Sequence, residues 1–449
     1  MKIESLVIKK LYGYMDFDIK FFPNVNFITG INGSGKTSVL NALAWILSPS
    51  LMRLSQLNFT SIKVTFSEPK KASTTVTARK HKNNVVLTID RLSEELKIPI
   101  FEYMGEPGLV ERSGLTIPEM YERFRMEHSS NLVLAELEGL VGPLYLPLDR
   151  RLETAPLVRQ SRPPLRDPLR YKRTRRPIGE PIGSVLYLAE RYYRERQYSL
   201  GELNEKLRQE FIESTFGDIT TAQALRKVGS PWKLSEVKRR KETIVEGLTN
   251  AGIKVPEESV SKYFRGLEKI AGALEKKGID RENPPPELFE WVINMPQIQK
   301  VERLIKRMEE YNNQRNILFG RVEAFKDTVN SFLCDTDKQI EYDTSGELVV
   351  KVGENLEIRP DSLSSGEIQL LTLFTYLYFG FEKTREFVVM IDEPELSLHL
   401  QWQHKYVESV MKANPNAQFI FATHAPEIGQ GYDDYCIELS PKVLPDVTV

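Results

Sequence analysis

The chain has 449 residues, of which 61 are basic and 62 acidic, for a formal net charge of −1. That length suffices for one large or two medium domains with a real core, and the balanced charge excludes naming a partner from bulk electrostatics. Only two cysteines, Cys334 and Cys436, are present, and no CxxC; this argues against a disulfide framework or zinc site and for a reducing cytoplasm.

The first residues alternate as strands, with no small-residue cleavage site, so we expect no signal peptide. The run VNFITG breaks at Gly30, and residues 36–47 carry apolar side chains at helical spacing. Between them, Gly30-Ile31-Asn32-Gly33-Ser34-Gly35-Lys36-Thr37-Ser38 matches GxxxxGK[ST], after a strand and opening a helix. Glycines let the backbone wrap closely around phosphates, and the helix N-terminus adds partial positive charge. Lys36 is placed to pair with the β- and γ-phosphates of ATP, and the Thr37 hydroxyl to ligate Mg²⁺. The plainer reading is a chance glycine-rich turn.

Residues 60–90 read as a β-meander, residues 115–137 as helical, and LYLPL (144–148) as a buried strand. The stretch 149–179 is rich in arginine and proline, and reads as a loop or extended arm. Arg173, Arg175 and Arg176 within it are candidates for a polyanion-sensing surface, for DNA or an acidic DNA-mimicking protein. The alternative is that such arginines pair with carboxylates in an assembly, with Arg150 and Arg151 serving the nucleotide.

Residues 185–335 are mostly helical, in separate segments such as YLAERYYRERQ, SLGELNEKLRQEFIES and KYFRGLEKIAGALEKKG, ending in a longer helix over about 297–332. With no zinc hook and no long heptads, a long DNA-tethering lever is not expected. The apolar stripes either carry subunit or partner contacts or pack on the insertion's own head. Strands return at 339–352 around a Thr344–Gly346 turn. Then come a helix near 364–381, the strand FVVMID, a helix near 399–413, and the strands QFIFAT and YCIEL; this βαβ rhythm predicts a parallel sheet. The stretch around Leu370–Phe381 is the longest apolar one, too short to span a bilayer, so no membrane partner is expected. The fold class expected is α/β, with an ATPase-like head in two halves (1–150 and 339–449) around an Arg-rich arm and helical insertion (151–338).

Three further motifs carry chemistry. FVVMID delivers Asp392 to a strand end, where it can hold magnesium, and places Glu393 to polarise an attacking water. Alone, the pair is a solvated turn. Leu363-Ser364-Ser365-Gly366-Glu367 is by itself a helix N-cap with a capping-box Glu. Between a P-loop and an Asp–Glu strand, it resembles the LSGGQ signature of ABC ATPases, with Ser365 for the first Gly and Glu367 for Gln. A buried strand ends at Thr423-His424, and in this order of motifs His424 resembles the ABC switch histidine rather than a structural one. Glu395–His399 occupies the place of the D-loop, and the loop after LYLPL is the candidate region for a magnesium-sensing glutamine.

Together the motifs resemble ABC-type ATPases of the SMC, RecF and overcoming-lysogenization-defect group, over roughly residues 1–150 and 339–440. EPELSLH, ATHAPEI and LYLPLDRRLE resemble a bacterial anti-phage subgroup, most of all the AriA type of PARIS systems, with the PtuA type of Septu and retrons as rival. The resemblance implies ATP and Mg²⁺ as ligands, and ATP-sandwich dimers in which Ser364–Glu367 of one copy face the phosphates of another. It also implies a homo-hexamer holding a toxic Toprim nuclease (AriB-like) until a phage DNA-mimic protein releases it. The 25 residues after His424 cannot hold a Toprim domain, so the nuclease is expected on a separate chain. A DNA-repair ATPase acting directly on DNA is the alternative; a transporter subunit fits less well.

Overall fold

The computed structural model describes residues 1–101, 115–146, 180–215, 231–250, 254, 257–278, 283–381, 386–396, 398–440 and 442–443. Arg173, Arg175, Arg176 and the stretch after Leu146 expected to carry the magnesium-sensing glutamine lie outside these residues. The chain divides into two compact units, Met1–Ala189 with Phe325–Val449, and Glu190–Ala324.

The strands, in chain order, are β1 (Lys2–Leu11), β2 (Met15–Lys20), β3 (Val25–Thr29), β4 (Ser61–Ser67), β5 (Thr74–Lys80), β6 (Asn84–Ile89), β7 (Glu95–Pro99), β8 (Leu144–Leu146), β9 (Lys338–Tyr342), β10 (Leu348–Val352), β11 (Leu356–Ile358), β12 (Val388–Asp392), β13 (Gln418–Ala422), β14 (Cys436–Glu438) and β15 (Lys442–Val443). All belong to the first unit. Seven form an antiparallel sheet in the order β15-β2-β1-β4-β5-β6-β7. Its inner face is the alternate set Leu6, Ile8, Ile62, Val64, Val76, Ala78, Val85 and Leu87, all fully buried, as a one-sided sheet requires. These side chains pack with the helix Lys36–Leu47 in one core.

Five strands form a parallel sheet in the order β14-β3-β13-β12-β8. Its central strands β12 and β13 are buried at every residue, the continuous apolar pattern of a sheet covered on both faces. Gln418, fully buried at the start of β13, donates through Nε2 to the carbonyls of Ile3 (2.7 Å) and Phe22 (2.8 Å) and accepts from the Ile3 amide at 2.6 Å. One side-chain amide thus satisfies backbone groups beside both sheets, groups that would otherwise be buried unpaired.

The strands β9, β10 and β11 make a small antiparallel sheet, with Gly346 at φ +77° in the turn expected at Thr344–Gly346. The helix Ser365–Thr375 follows and passes into a single π turn, Tyr376–Gly380.

The second unit is helical. Its core joins Trp232, Phe264, Trp291, Met308 and Tyr311, with Trp232 and Trp291 edge to face at 5.7 Å between ring centroids. Gly247 permits close helix packing: a Cβ there would lie 2.5 Å from Met308 Sδ. Tyr311 donates its hydroxyl to Asn204 Oδ1 and the Asn250 carbonyl, and Arg240 lies 3.9 Å over the Trp232 ring. Where the sequence suggests two segments around Ser199–Gly201, one helix runs Glu180–Thr215. A single glycine costs a helix only about 1 kcal/mol, and Leu200 and Leu203 keep it in register by packing on the apolar cluster.

Candidate active site

The register of the parallel sheet assembles the site. Asp392 on β12 pairs with Ala422 on β13, and Ala422 with Ile28 on β3. The three strands therefore end in one row. Asp392 stands in that row, and just past it come Gly30 of the P-loop, Glu393, and Thr423 with His424. Parallel strands present their C-terminal ends to ligands in this way.

The P-loop takes the conformation its glycines allow. Gly30, Gly33 and Gly35 have φ of +150°, +83° and +95°. A Cβ on Gly30 would sit 2.7 Å from Ser34 Oγ, and one on Gly35 would sit 2.8 Å from the Phe17 ring. Gly35 is the N-cap of the helix Lys36–Leu47, and no side chain caps that end. The first amides of the helix are therefore available to an anion. Lys36 is buried and donates through Nζ to the carbonyls of Gly30 (2.8 Å) and Ile31 (3.3 Å). Its ammonium spans the loop from inside.

Asp392 is buried, and neither carboxylate oxygen has a hydrogen-bond partner. Burial pushes its pKa up to about 6; Thr37 and Lys36 nearby pull it down, while Glu393 and Glu395 add to the rise. A desolvated carboxylate with both oxygens idle, beside the Thr37 hydroxyl, fits a hard divalent cation. A magnesium there would be held by one or two protein oxygens, with phosphate and water completing its shell.

Glu393 occupies the left-handed region at φ +46°, with its amide donating to the Ala422 carbonyl at 2.8 Å. A non-glycine residue held there stores strain that its surroundings must impose, a condition concentrated at functional sites. Its carboxylate lies 3.9 Å from His424 Nδ1. Glu395 lies closer, at 3.1 Å from Nδ1, and accepts from the Thr423 hydroxyl (2.8 Å) and the His424 amide (3.0 Å). Its carboxylate is buried against its own chain.

The signature turn sits elsewhere in the first unit. Ser364 caps the helix Ser365–Thr375, and its side chain and that of Glu367 complete a capping box. Ser364 and Ser365 are exposed, whereas Gly366 and Glu367 are buried. Glu367 accepts from Lys338 Nζ on both oxygens (2.9 and 3.1 Å), from the Thr336 hydroxyl and from the Ser364 amide. Burial alone would raise its pKa, but the Lys338 ammonium and the Ser364 amide outweigh it and hold it below the ordinary carboxylate range. Glu367 is therefore spent on shaping the turn. Sequence reasoning did not single out Lys338, nor Tyr12, whose hydroxyl meets Ser38 Oγ at 3.1 Å. No local pattern marks either one.

Two family models match the chain. Residues 5–117 match "AAA domain", and residues 266–428 match "AAA domain, putative AbiEii toxin, Type IV TA system". The chain is similar to "Retron Vc95 probable ATPase" of Vibrio cholerae serotype O1 biovar El Tor, at 30% identity over 138 residues, 28% of this chain and 27% of that one. It is also similar to "DNA replication and repair protein RecF" of Halalkalibacterium halodurans, at 44% identity over 46 residues, 10% of this chain and 12% of that one. The matches thus span about a quarter or less of these relatives. Among solved structures, the Pyrococcus furiosus Smc head domain bound to the C-terminal domain of ScpA aligns at TM-score 0.42 and 14% identity, over 99% of this chain and 96% of that one. A Pyrococcus yayanosii Smc head with coiled coil and joint aligns at 0.39 and 15%, over 96% and 93%. The two matched stretches hold the site, Gly30–Ser38 in the first and Asp392, Glu393 and His424 in the second, and over both the chain is similar to AAA-type ATPase domains.

Proposed function

We propose that the chain hydrolyses ATP between two of its own copies, and that this cycle controls a defence response against phage. The observation that carries the nucleotide half is the shared register row, which brings the P-loop, Asp392–Glu393 and His424 to adjacent strand ends. In this reading the backbone from Gly30 to Gly35, with Asn32 and Ser34, cradles the phosphates, and Lys36 turns from its own loop carbonyls to the β- and γ-phosphates. Ser38 follows on the phosphate side, Thr37 and Asp392 face the metal side, and a bound Mg²⁺ would neutralise phosphate charge there. Glu393 orients the attacking water, His424 contacts the γ-phosphate, and Ser364–Gly366 of a second copy close the site from the far side.

The defence half is supported by the likeness to a retron ATPase and to the AbiEii-type domain. Within that class we place the chain with the AriA type of PARIS: a homo-oligomeric sensor and scaffold, a hexamer, that restrains a separate Toprim nuclease. A phage DNA-mimic protein, or DNA, is the trigger. The short match to RecF favours a second reading, a repair ATPase working directly on DNA.

The test is co-expression of Glu393→Gln chain with the proteins encoded beside it, followed by native mass measurement with and without ATP. We expect ATP to be retained, turnover to fall by about 100-fold, and the mass to rise by whole copies of the chain with a nuclease attached. Normal turnover by Glu393→Gln would show the wrong base. A strong stimulation of wild-type turnover by DNA alone, with no co-purifying nuclease, would favour the repair reading.

A further inference from the structure

Glu395 is a carboxylate for which neither the P-loop nor the magnesium side of the site has a use. It stands at the turn after β12, yet its contacts reach the turn after β13, 28 and 29 residues on in sequence. One oxygen, Oε1, accepts from the Thr423 hydroxyl and the His424 amide and lies 3.1 Å from the His424 ring nitrogen Nδ1. Thr423 Oγ1 in turn accepts from the Ala425 amide at 3.0 Å. The whole Thr423–Ala425 turn is thus built around a single carboxylate oxygen. The other oxygen, Oε2, is buried and has no partner.

A merely structural hub would not need a charge here. Asp392 and Glu393 already make the neighbourhood acidic, and an idle buried carboxylate oxygen costs desolvation. The carboxylate does offer something an uncharged group would not: it draws the proton of the imidazole to Nδ1. Both carboxylates facing the ring, Glu395 at 3.1 Å and Glu393 at 3.9 Å, face Nδ1. Nε2 is left for whatever meets the half-exposed ring. A carboxylate behind one ring nitrogen sets tautomer and orientation at the other.

We propose that Glu395 is a positioning residue for hydrolysis: it fixes the Thr423–Ala425 turn and holds the His424 ring with Nε2 toward the γ-phosphate. The proposal rests on the reading that His424 takes part in hydrolysis, and the experiment separates the two.

Steady-state hydrolysis by the full chain is measured for wild type, Glu395→Ala, Glu395→Gln, Thr423→Val, His424→Ala and the double variant Glu395→Ala/His424→Ala. Glu395→Ala should lower kcat by about tenfold or more while KM for ATP stays within about twofold, because the group acts on the chemical step and not on ground-state binding. Glu395→Gln, whose amide oxygen can still accept from Thr423 and the His424 amide but carries no charge behind Nδ1, should fold normally and stay slow; recovery of the wild-type rate would overturn the role of the charge. The double variant should be no slower than His424→Ala alone, since a residue acting through another adds nothing once that one is gone. Should Glu395→Ala fail to fold, Thr423→Val paired with His424→Ala runs the same cycle with a smaller loss. A wild-type kcat in Glu395→Ala beside a slow His424→Ala overturns the positioning role alone, as do additive losses or a loss carried wholly by KM. A wild-type rate in His424→Ala overturns the role of the histidine itself, and the proposal falls with it.

Discussion

Asp392 and Glu367 are two carboxylates of the same unit, each almost wholly buried, at 3% and 2% exposure. Asp392, at the end of the parallel sheet, has no hydrogen bond and a raised pKa. Glu367, in the signature turn, has four and a lowered one. Burial is the same; satisfaction is opposite. A carboxylate buried with its partners in place serves the fold, whereas one buried without them is held for something that arrives later. The contrast separates a carboxylate left open at the sheet end from one spent on the turn it shapes.

Three measurements would break or sharpen that contrast, beginning with the largest effect. If the sheet edge alone binds the triphosphate, Lys36→Ala should weaken ATP binding on the order of a thousandfold in a fluorescent-nucleotide titration. Ser365→Arg, on the exposed start of the signature helix, should leave binding by a single chain unchanged while stopping turnover. Equal loss of binding in both would erase the distinction.

Next, Lys338→Ala strands Glu367 as a lone buried charge and should cost about 3 kcal/mol of stability in urea unfolding at pH 7. Because Glu367 titrates lower in the folded chain than in the unfolded one, the pair's contribution is present above the ordinary carboxylate pKa and lost as pH falls through the folded value. A difference from wild type that persists at pH 3 would assign the effect to packing of the lysine stem.

The smallest effect has the opposite sign. The folded pKa of Asp392, about 6, stands above its ordinary 3.8, so its ionisation costs stability as pH rises through that interval. Asp392→Asn should therefore stabilise the nucleotide-free chain at pH 7 by on the order of 2 kcal/mol. The gain should vanish near pH 3.5. A destabilised variant at pH 7 would mean that Asp392 has partners after all.

How much of this was legible in sequence follows from distance along the chain. The P-loop, the Asp–Glu strand and the Thr–His strand are contiguous patterns, and the α/β architecture with its parallel sheet follows from alternation of their flanking strands and helices. Glu395 could be read only as part of a D-loop, because its work is done on residues 28 positions away. Lys338 was invisible for the same reason: it opens a strand and meets Glu367 29 positions on. The helix Glu180–Thr215 read as two, because glycine and serine at 199–201 look like a break until the leucines between and after them find an apolar surface.

The place of β3 in the sheet has a consequence for how the protein comes into being. Both its neighbours, β13 and β14, lie beyond residue 417. As the chain leaves the ribosome, the phosphate loop is made about 380 residues before the strands that pair with the one aiming it. The helical unit, built from contacts closer in sequence, can settle first. Nucleotide competence therefore waits for residues 418–438, and a chain cut before them, however well its helices fold, would carry a phosphate loop without an anchor.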